Sequence, residues 1–232
     1  MTHPTYERPG LAPADFYPVT MLVISLTSIP PRFDALPRVL HSLLLQNADR
    51  VVLTLPRDFQ RFPGPVSPPP LPAGVDLLWT DRDLGPATKI IPARAALPRA
   101  DIVYCDDDCL YEPGWLDALC QADAPVASAS IFDGGRLGLP GLTIAQGFAG
   151  VRLAADVAIR AAPPEALRYA DDLFLSALWT SNGFKIEQAA KARAFVRPLH
   201  APEGLQDKDR KSVYAQAANW LRRNPIPGVN AP

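Results

Sequence analysis

Three consecutive carboxylates, Asp106, Asp107 and Asp108, follow directly on the apolar run Ile102–Cys105. Adjacent carboxylates repel one another, so a buried strand that ends on them invites a cation or a cationic group. On extended backbone Asp106 and Asp108 point to the same side. Two carboxylates so placed, with water and phosphate oxygens completing the shell, suit Mg²⁺ or Mn²⁺. The triplet also reads as a solvated acidic turn before the helix expected at Pro113. A second acidic pair, Asp171-Asp172, precedes apolar residues at helical spacing. It reads either as acids favoured at a helix N-terminus or as a general base beside a substrate hydroxyl. The segment Asp83-Leu-Gly-Pro-Ala-Thr-Lys89 joins a strand to a helix. A helix start that carries a lysine is an anion site; the alternative is a surface lysine after a turn. The segment has too few glycines for a Walker A loop. Arg32, after Pro30-Pro31, occupies a similar turn. His200 is a ligand only if the fold brings it to Asp106–Asp108, and is otherwise structural or exposed.

The elements that must position these residues are marked by periodicity and by proline. Residues 21–27 are a short β-branched apolar run, which predicts a buried strand stopped by Pro30-Pro31. Leu36, Leu40, Leu43 and Leu44 fall on one helical face, with Asp34 as N-cap and Pro37 in the first turn. Strands are predicted at 51–55, 75–79, 101–105 and 125–131, near 184–187, and over Ala194–Leu199. Helices are predicted at about 87–97, from Pro113 through Cys120, at about 171–181, and within a charged stretch at 207–223. Six prolines fall in the ten residues 63–72, which excludes a central strand or a helix interior. That stretch reads as a stiff surface loop inside the domain, in preference to an SH3-type ligand. Residues 133–141 read as a Gly-rich turn, and 142–152 mix apolar residues with Gly147 and Gly150. No internal repeat is present. Strands alternating with helices predict an α/β sheet covered on both faces, whose chemistry collects beyond the carboxyl ends of the strands.

Composition sets the outer bounds. The chain has 232 residues, 48% of them apolar, 27 prolines and a net charge of −1. Proline stands at roughly twice its usual share of about 5%. Disordered chains combine low apolar content with net charge, and this chain has neither. A pI of about 6.3 leaves no electrostatic footprint for nucleic acid. No stretch approaches the roughly 18 apolar residues of a membrane span, and Met1–Pro18 does not read as a secretory leader. Cys105, Cys109 and Cys120 are an odd number without a CxxC pair, so buried or semi-buried thiols in a reducing cytoplasm are expected.

In chain order, these features resemble the GT-A-fold nucleotide-sugar glycosyltransferases of the family-two type. The stretches that carry the likeness are Leu-Thr-Ser-Ile-Pro-Pro-Arg-Phe (26–33), Asp-Leu-Gly-Pro-Ala-Thr-Lys (83–89), Tyr-Cys-Asp-Asp-Asp-Cys-Leu-Tyr-Glu-Pro-Gly-Trp (104–115) and the pair Asp171-Asp172. They are similar to a compact bacterial subgroup of small, soluble members, over about residues 21–200. The resemblance implies a Rossmann-like three-layer α/β/α domain with a mostly parallel central sheet. An extended arm would occupy 1–20 and a helical, Pro-rich tail 201–232. It implies transfer of a sugar from a nucleoside diphosphate, UDP foremost, to a saccharide or other hydroxyl acceptor, with Mn²⁺ or Mg²⁺ as cofactor. Asp106 would touch the donor, and Asp108, with Asp106 and His200, the metal. Thr27, Ser28, Arg32, Asp83, Lys89 and Asp107 would lie on the donor side. Asp172, with Asp171 beside it, would be the base of an inverting reaction. The Gly-rich stretch 133–150 would close over the donor or form part of the acceptor site. The chain lacks the Q-x-x-R-W-type acceptor motif of processive synthases.

Three other readings compete. A phosphatase of the HAD type also uses an Asp-x-Asp after a strand, but early in the chain and followed by a different residue pattern from Leu110 here. A nucleotidyltransferase would show a Gly-rich basic loop after the first strand, where this chain has Ser28-Ile-Pro-Pro-Arg32. A binding domain that keeps the fold without catalysis is the third. Convergence of Asp106, Asp108, Asp172 and Lys89 on one pocket separates the catalytic readings from the last.

Overall fold

The computed structural model describes residues 21–65, 67–199 and 210–226. The expected arm at 1–20 and His200 lie outside the described residues. Strand β1 (Leu22–Thr27) leads through a 3₁₀ turn (Pro30–Arg32) into helix α1 (Leu36–Leu44), then β2 (Arg50–Pro56) and β3 (Val75–Thr80). A second 3₁₀ turn (Gly85–Lys89) precedes α2 (Ile91–Ala96), β4 (Asp101–Tyr104), β5 (Cys109–Tyr111) and α3 (Trp115–Cys120). Short strands follow: β6 (Val126–Ser128), β7 (Ile131–Asp133), β8 (Thr143–Ala145) and β9 (Val151–Leu153). Helix α4 (Asp171–Ser181), β10 (Ile186–Gln188), β11 (Val196–Pro198) and α5 (Arg210–Arg223) complete the chain.

Seven strands form the central sheet in the order β10-β6-β9-β4-β1-β2-β3. All neighbours are parallel except β9, which is antiparallel to both β4 and β6. The strands are continuous apolar runs because both faces are covered. Side chains alternate between two cores. Ile24, Leu26, Val103 and Cys105 pack with Leu36, Val39, Leu40 and Leu43 of α1 and with Trp115, Leu116 and Leu119 of α3. Val23, Ile102 and Tyr104 pack on the other face with Ala93 of α2, Leu173 and Trp179 of α4, and Tyr214 and Leu221 of α5. The result is the expected three-layer α/β/α sandwich. The Pro-rich connector joins the parallel neighbours β2 and β3 and rests Leu71 against the core. No helix among the described residues is long and apolar enough to cross a membrane.

Several local expectations are corrected. Asp34 does not cap α1: the N-cap is Ala35, without a side-chain bond, because a 3₁₀ turn and its continuation feed straight into the helix. Pro113 precedes α3 without opening it, since Gly114 takes the N-cap position at φ +95°. The single helix expected at 87–97 is divided into the 3₁₀ turn and α2. Strand β5 escapes a periodicity reading because it is three residues long and pairs only with β11, far along the chain. The second half of the stretch 133–150 is packed into the core, while its first half is largely exposed. Leu139, Leu142, Ile144, Ala145 and Ala149 are buried, and Ala145 N–H donates to Ser176 Oγ of α4 at 3.0 Å. Of the three thiols, Cys105 and Cys109 are buried as expected, whereas Cys120 is exposed.

Candidate functional site

The site begins at the seam between β1 and β4. These strands are parallel neighbours with Ser25 opposite Tyr104, so the segments leaving their carboxyl ends emerge together. The chain runs from β1 outward to β2 and β3 and returns to β4 on the other side of β1. Such a switch point leaves a crevice where α/β sheets bind ligands. Of the three acids delivered there, Asp107 turns inward, 7% exposed. It accepts from Ser28 Oγ at 2.5 Å and from Arg32 Nη1 at 2.5 Å. Arg32 Nη1 also lies 3.4 Å from Asp108 Oδ2. These carboxylates raise the Arg32 pKa against the opposing effect of burial. Asp106 and Asp108 keep 31% and 21% of their side chains exposed and line the crevice, although the triplet is not extended as expected: Asp107 and Asp108 form the turn between β4 and β5.

The triplet is held by its backbone. Tyr111 Oη accepts from Asp106 N–H at 3.1 Å and lies within donating distance of the carbonyls of Asp106 (2.9 Å) and Phe148 (3.0 Å). Leu199 N–H donates to the Asp108 carbonyl at 2.7 Å, which extends the β5–β11 ribbon to Asp108. Burial and the charges of Asp106 and Asp107 push the Asp108 pKa up to about 6.

Lys89 is where sequence and structure part most. Read as an anion-binding lysine at a helix start, it is instead 2% exposed and bridges two acids. Its Nζ lies 2.7 Å from Asp106 Oδ1 and 3.0 Å from Asp171 Oδ2. The 3₁₀ turn directs it inward because Ser25 Oγ, in the sheet, donates to the Lys89 carbonyl at 2.5 Å. Burial opposes the ammonium charge, but Asp106, Asp171 and Asp172 outweigh it and hold the Lys89 pKa well above its ordinary value. Asp83 braces the same region. Its Oδ1 accepts from Gly85 N–H and Arg168 Nη2, both at 2.8 Å, and its Oδ2 accepts from Gln60 N–H at 2.9 Å.

Asp171 and Asp172 open α4, yet neither caps it; the N-cap is Ala170 with no side-chain bond. Asp171 is spent on Lys89. Asp172, 5% exposed, accepts from Gly147 N–H at 2.9 Å and from Tyr214 Oη at 3.3 Å. Burial and the Asp171 charge raise its pKa to about 7, against the pull of Lys89.

Every site residue nominated from the sequence within the described set lies on the wall of one cavity of about 400 Å³. Thr27 does so with its hydroxyl donating to the Thr54 carbonyl at 2.7 Å. Further lining residues escape the sequence reading: Phe59 and Phe62 after β2, Arg168 and Tyr169 before α4, and Arg210 and Tyr214 on α5. Arg168 and Tyr169 adjoin the acidic pair and were within reach of a search around it. Nothing in the charged pattern at 207–223 points to Tyr214.

Six carboxylates and five arginine or lysine side chains line the cavity. No three His, Cys, Asp or Glu side chains among the described residues are grouped to hold a metal. Asp108 is the least committed acid, with Asp106 beside it. This donor set fits an ion bound by one or two carboxylates and completed by ligand phosphates and water, and does not fit an all-protein cage.

The sequence matches no protein-family model and no curated protein. Its fold does have solved counterparts. A crystal structure of glucosyl-3-phosphoglycerate synthase from Mycobacterium tuberculosis, with Mn²⁺, UDP and phosphoglyceric acid, superimposes with a TM-score of 0.56 at 13% identity, over 96% of this chain and 86% of that one. A second structure of that enzyme, with Mn²⁺, UDP and glucosyl-3-phosphoglycerate, gives 0.54 at 13% identity over 96% and 88%. The chain therefore has the Rossmann-like architecture of a GT-A glycosyltransferase.

Proposed function

We propose that the protein is a metal-dependent glycosyltransferase that moves a sugar from a nucleoside diphosphate, UDP by preference, to an acceptor hydroxyl. One observation carries this reading: Asp106, Asp108, Lys89 and Asp172, from three separate stretches of chain, line a single cavity at the switch point of the sheet. Its size suits a nucleotide sugar. The fold neighbours, crystallised with UDP and Mn²⁺, support the donor and the cofactor.

In this reading Asp108 and Asp106 hold Mn²⁺ or Mg²⁺ against the donor diphosphate. His200 is proposed as a further ligand, since it follows Leu199, whose backbone is bonded to Asp108. A cation held there would supply charge neutralisation for the leaving diphosphate. Arg32 fixes Asp107 and steadies Asp108, while Ser28 and Thr27 shape the wall beside them. Lys89 acts through Asp106 and Asp171, holding both acids in register. Asp172 accepts the proton of the acceptor hydroxyl, and attack from the face opposite the leaving group inverts the anomeric centre. A base with a pKa near 7 suits that proton transfer.

Thermal denaturation with Mn²⁺ and UDP tests the donor site. The pair should raise the wild-type melting temperature, and Asp108→Ala should lose most of the rise; an equal rise in the variant removes Asp108 from the metal site. Asp172→Asn should retain the rise while transfer falls by at least about 100-fold. A variant that transfers at the wild-type rate excludes Asp172 as base. Wild-type protein that binds Mn²⁺ and UDP but transfers no sugar from any UDP-sugar would favour the non-catalytic reading.

A further inference from the structure

The end of the chain reads from sequence as a tail, yet α5 packs into the core that backs the site. Tyr214 is 8% exposed, with its ring 6.2 Å from that of Phe132. Its hydroxyl reaches out of this apolar setting to Asp172 Oδ2 at 3.3 Å. Arg210, one turn earlier, lies with its guanidinium 5.3 Å from the Tyr214 ring centroid. Both residues line the cavity.

The groups around Asp172 come from every element packed there. Asp171 precedes it on α4, Lys89 faces it from the 3₁₀ turn, and Asp106 and Tyr104 face it from the end of β4. Gly147 N–H holds Oδ1. Tyr214, with Arg210 behind it, is the only bond to Oδ2 among the described residues. A carboxylate held on one oxygen alone can swing about its Cβ–Cγ bond; one held on both has its plane set. A hydrogen bond donated to a carboxylate also favours its ionised form.

We propose that Tyr214 is a positioning residue for Asp172, holding the carboxylate plane toward the cavity and favouring its ionised form, with Arg210 steadying the tyrosine ring. The C-terminal helix thereby belongs to the reactive site. The proposal rests on the reading of Asp172 as base.

The test uses protein labelled with ¹³C at the aspartate carboxyls, titrated by NMR, with Asp172→Asn assigning the Asp172 signal. Tyr214→Phe keeps the ring in its pocket and removes only the hydroxyl. The Asp172 midpoint should rise by about 0.5 to 1 unit in this variant. Arg210→Gln should move it the same way by less. Transfer by Tyr214→Phe should fall about fivefold, the effect of one ordinary hydrogen bond, with binding of UDP and Mn²⁺ unchanged by calorimetry. Coincident midpoints in wild type and Tyr214→Phe, or a fall in the variant, overturn the proposal. That failure is separate from failure of the base reading, which shows instead as full transfer by Asp172→Asn.

Discussion

Gly147 lies where the side chains of Lys89, Tyr104 and Asp172 meet. A Cβ at this position comes within 2.7 Å of Lys89 Nζ, 3.0 Å of Tyr104 Cε2 and 3.1 Å of Asp172 Oδ1. None of these can retreat freely: the lysine is pinned between two acids, the tyrosine is in the core, and the carboxylate is bonded to the Gly147 amide itself. Gly147→Ala should therefore destabilise the fold by about 1–3 kcal/mol and depress transfer more than nucleotide binding. Urea denaturation alongside UDP calorimetry checks both. Unchanged stability with normal transfer would show that the contact is not tight. The acids were legible as residues, because three adjacent carboxylates after an apolar strand are hard to explain otherwise. Their division of labour was not. That Asp107 turns to Ser28 and Arg32 while Asp106 meets Lys89 is set by the turn between β4 and β5 and by partners that come from the loop after β1 and from the 3₁₀ turn Gly85–Lys89.

At the level of elements, the 3₁₀ turn Gly85–Lys89 determines what the acidic pair can do. A regular helix starting at this point, as the residue pattern suggests, presents Lys89 to solvent or a phosphate. The turn instead places it in the wall, where it links the end of β4 to the start of α4. Lys89→Met should cost about 3–5 kcal/mol at pH 8, because it leaves buried acids without their counter-charge. The cost should shrink at pH 5, where Asp172, with a pKa of about 7, takes up a proton and one of the buried charges that Lys89 faces is removed. Denaturation midpoints at both pH values read this; a loss below about 1 kcal/mol would mean that the acids are stable without the lysine. Longer elements such as α1, β2, β3 and α4 were legible from periodicity, with bounds within a residue or two. Strands β5, β8 and β9 were not, because three residues carry no period, and the partners of β5 and β9 lie in distant chain.

Across the molecule, six carboxylates are gathered on one cavity wall with five arginine and lysine side chains, and among the described residues Asp172 has no cation within ion-pair distance. Asp172 shows the consequence. Its folded pKa of about 7 exceeds that of an unfolded aspartate, about 4. Between those values the folded state binds the extra proton, so this contribution to stability declines as pH rises from about 4 to 7 and is constant above. Asp172→Asn removes the term. The stability of the variant relative to wild type should therefore improve by about 2 kcal/mol from pH 5 to pH 8, measured by urea denaturation at both. A difference independent of pH would place the Asp172 pKa in the ordinary range. By itself the sequence determined the α/β class, the two-faced burial of the strands, and the carboxylates, lysine and arginine of the site, because residue type and short-range period encode those directly. Only the tertiary structure decided that Lys89 bridges two acids, that 142–150 packs into the core, and that α5 brings Tyr214 to Asp172. Each of those depends on contacts between segments tens of residues apart, where packing and charge pairing choose among options that local pattern leaves equal.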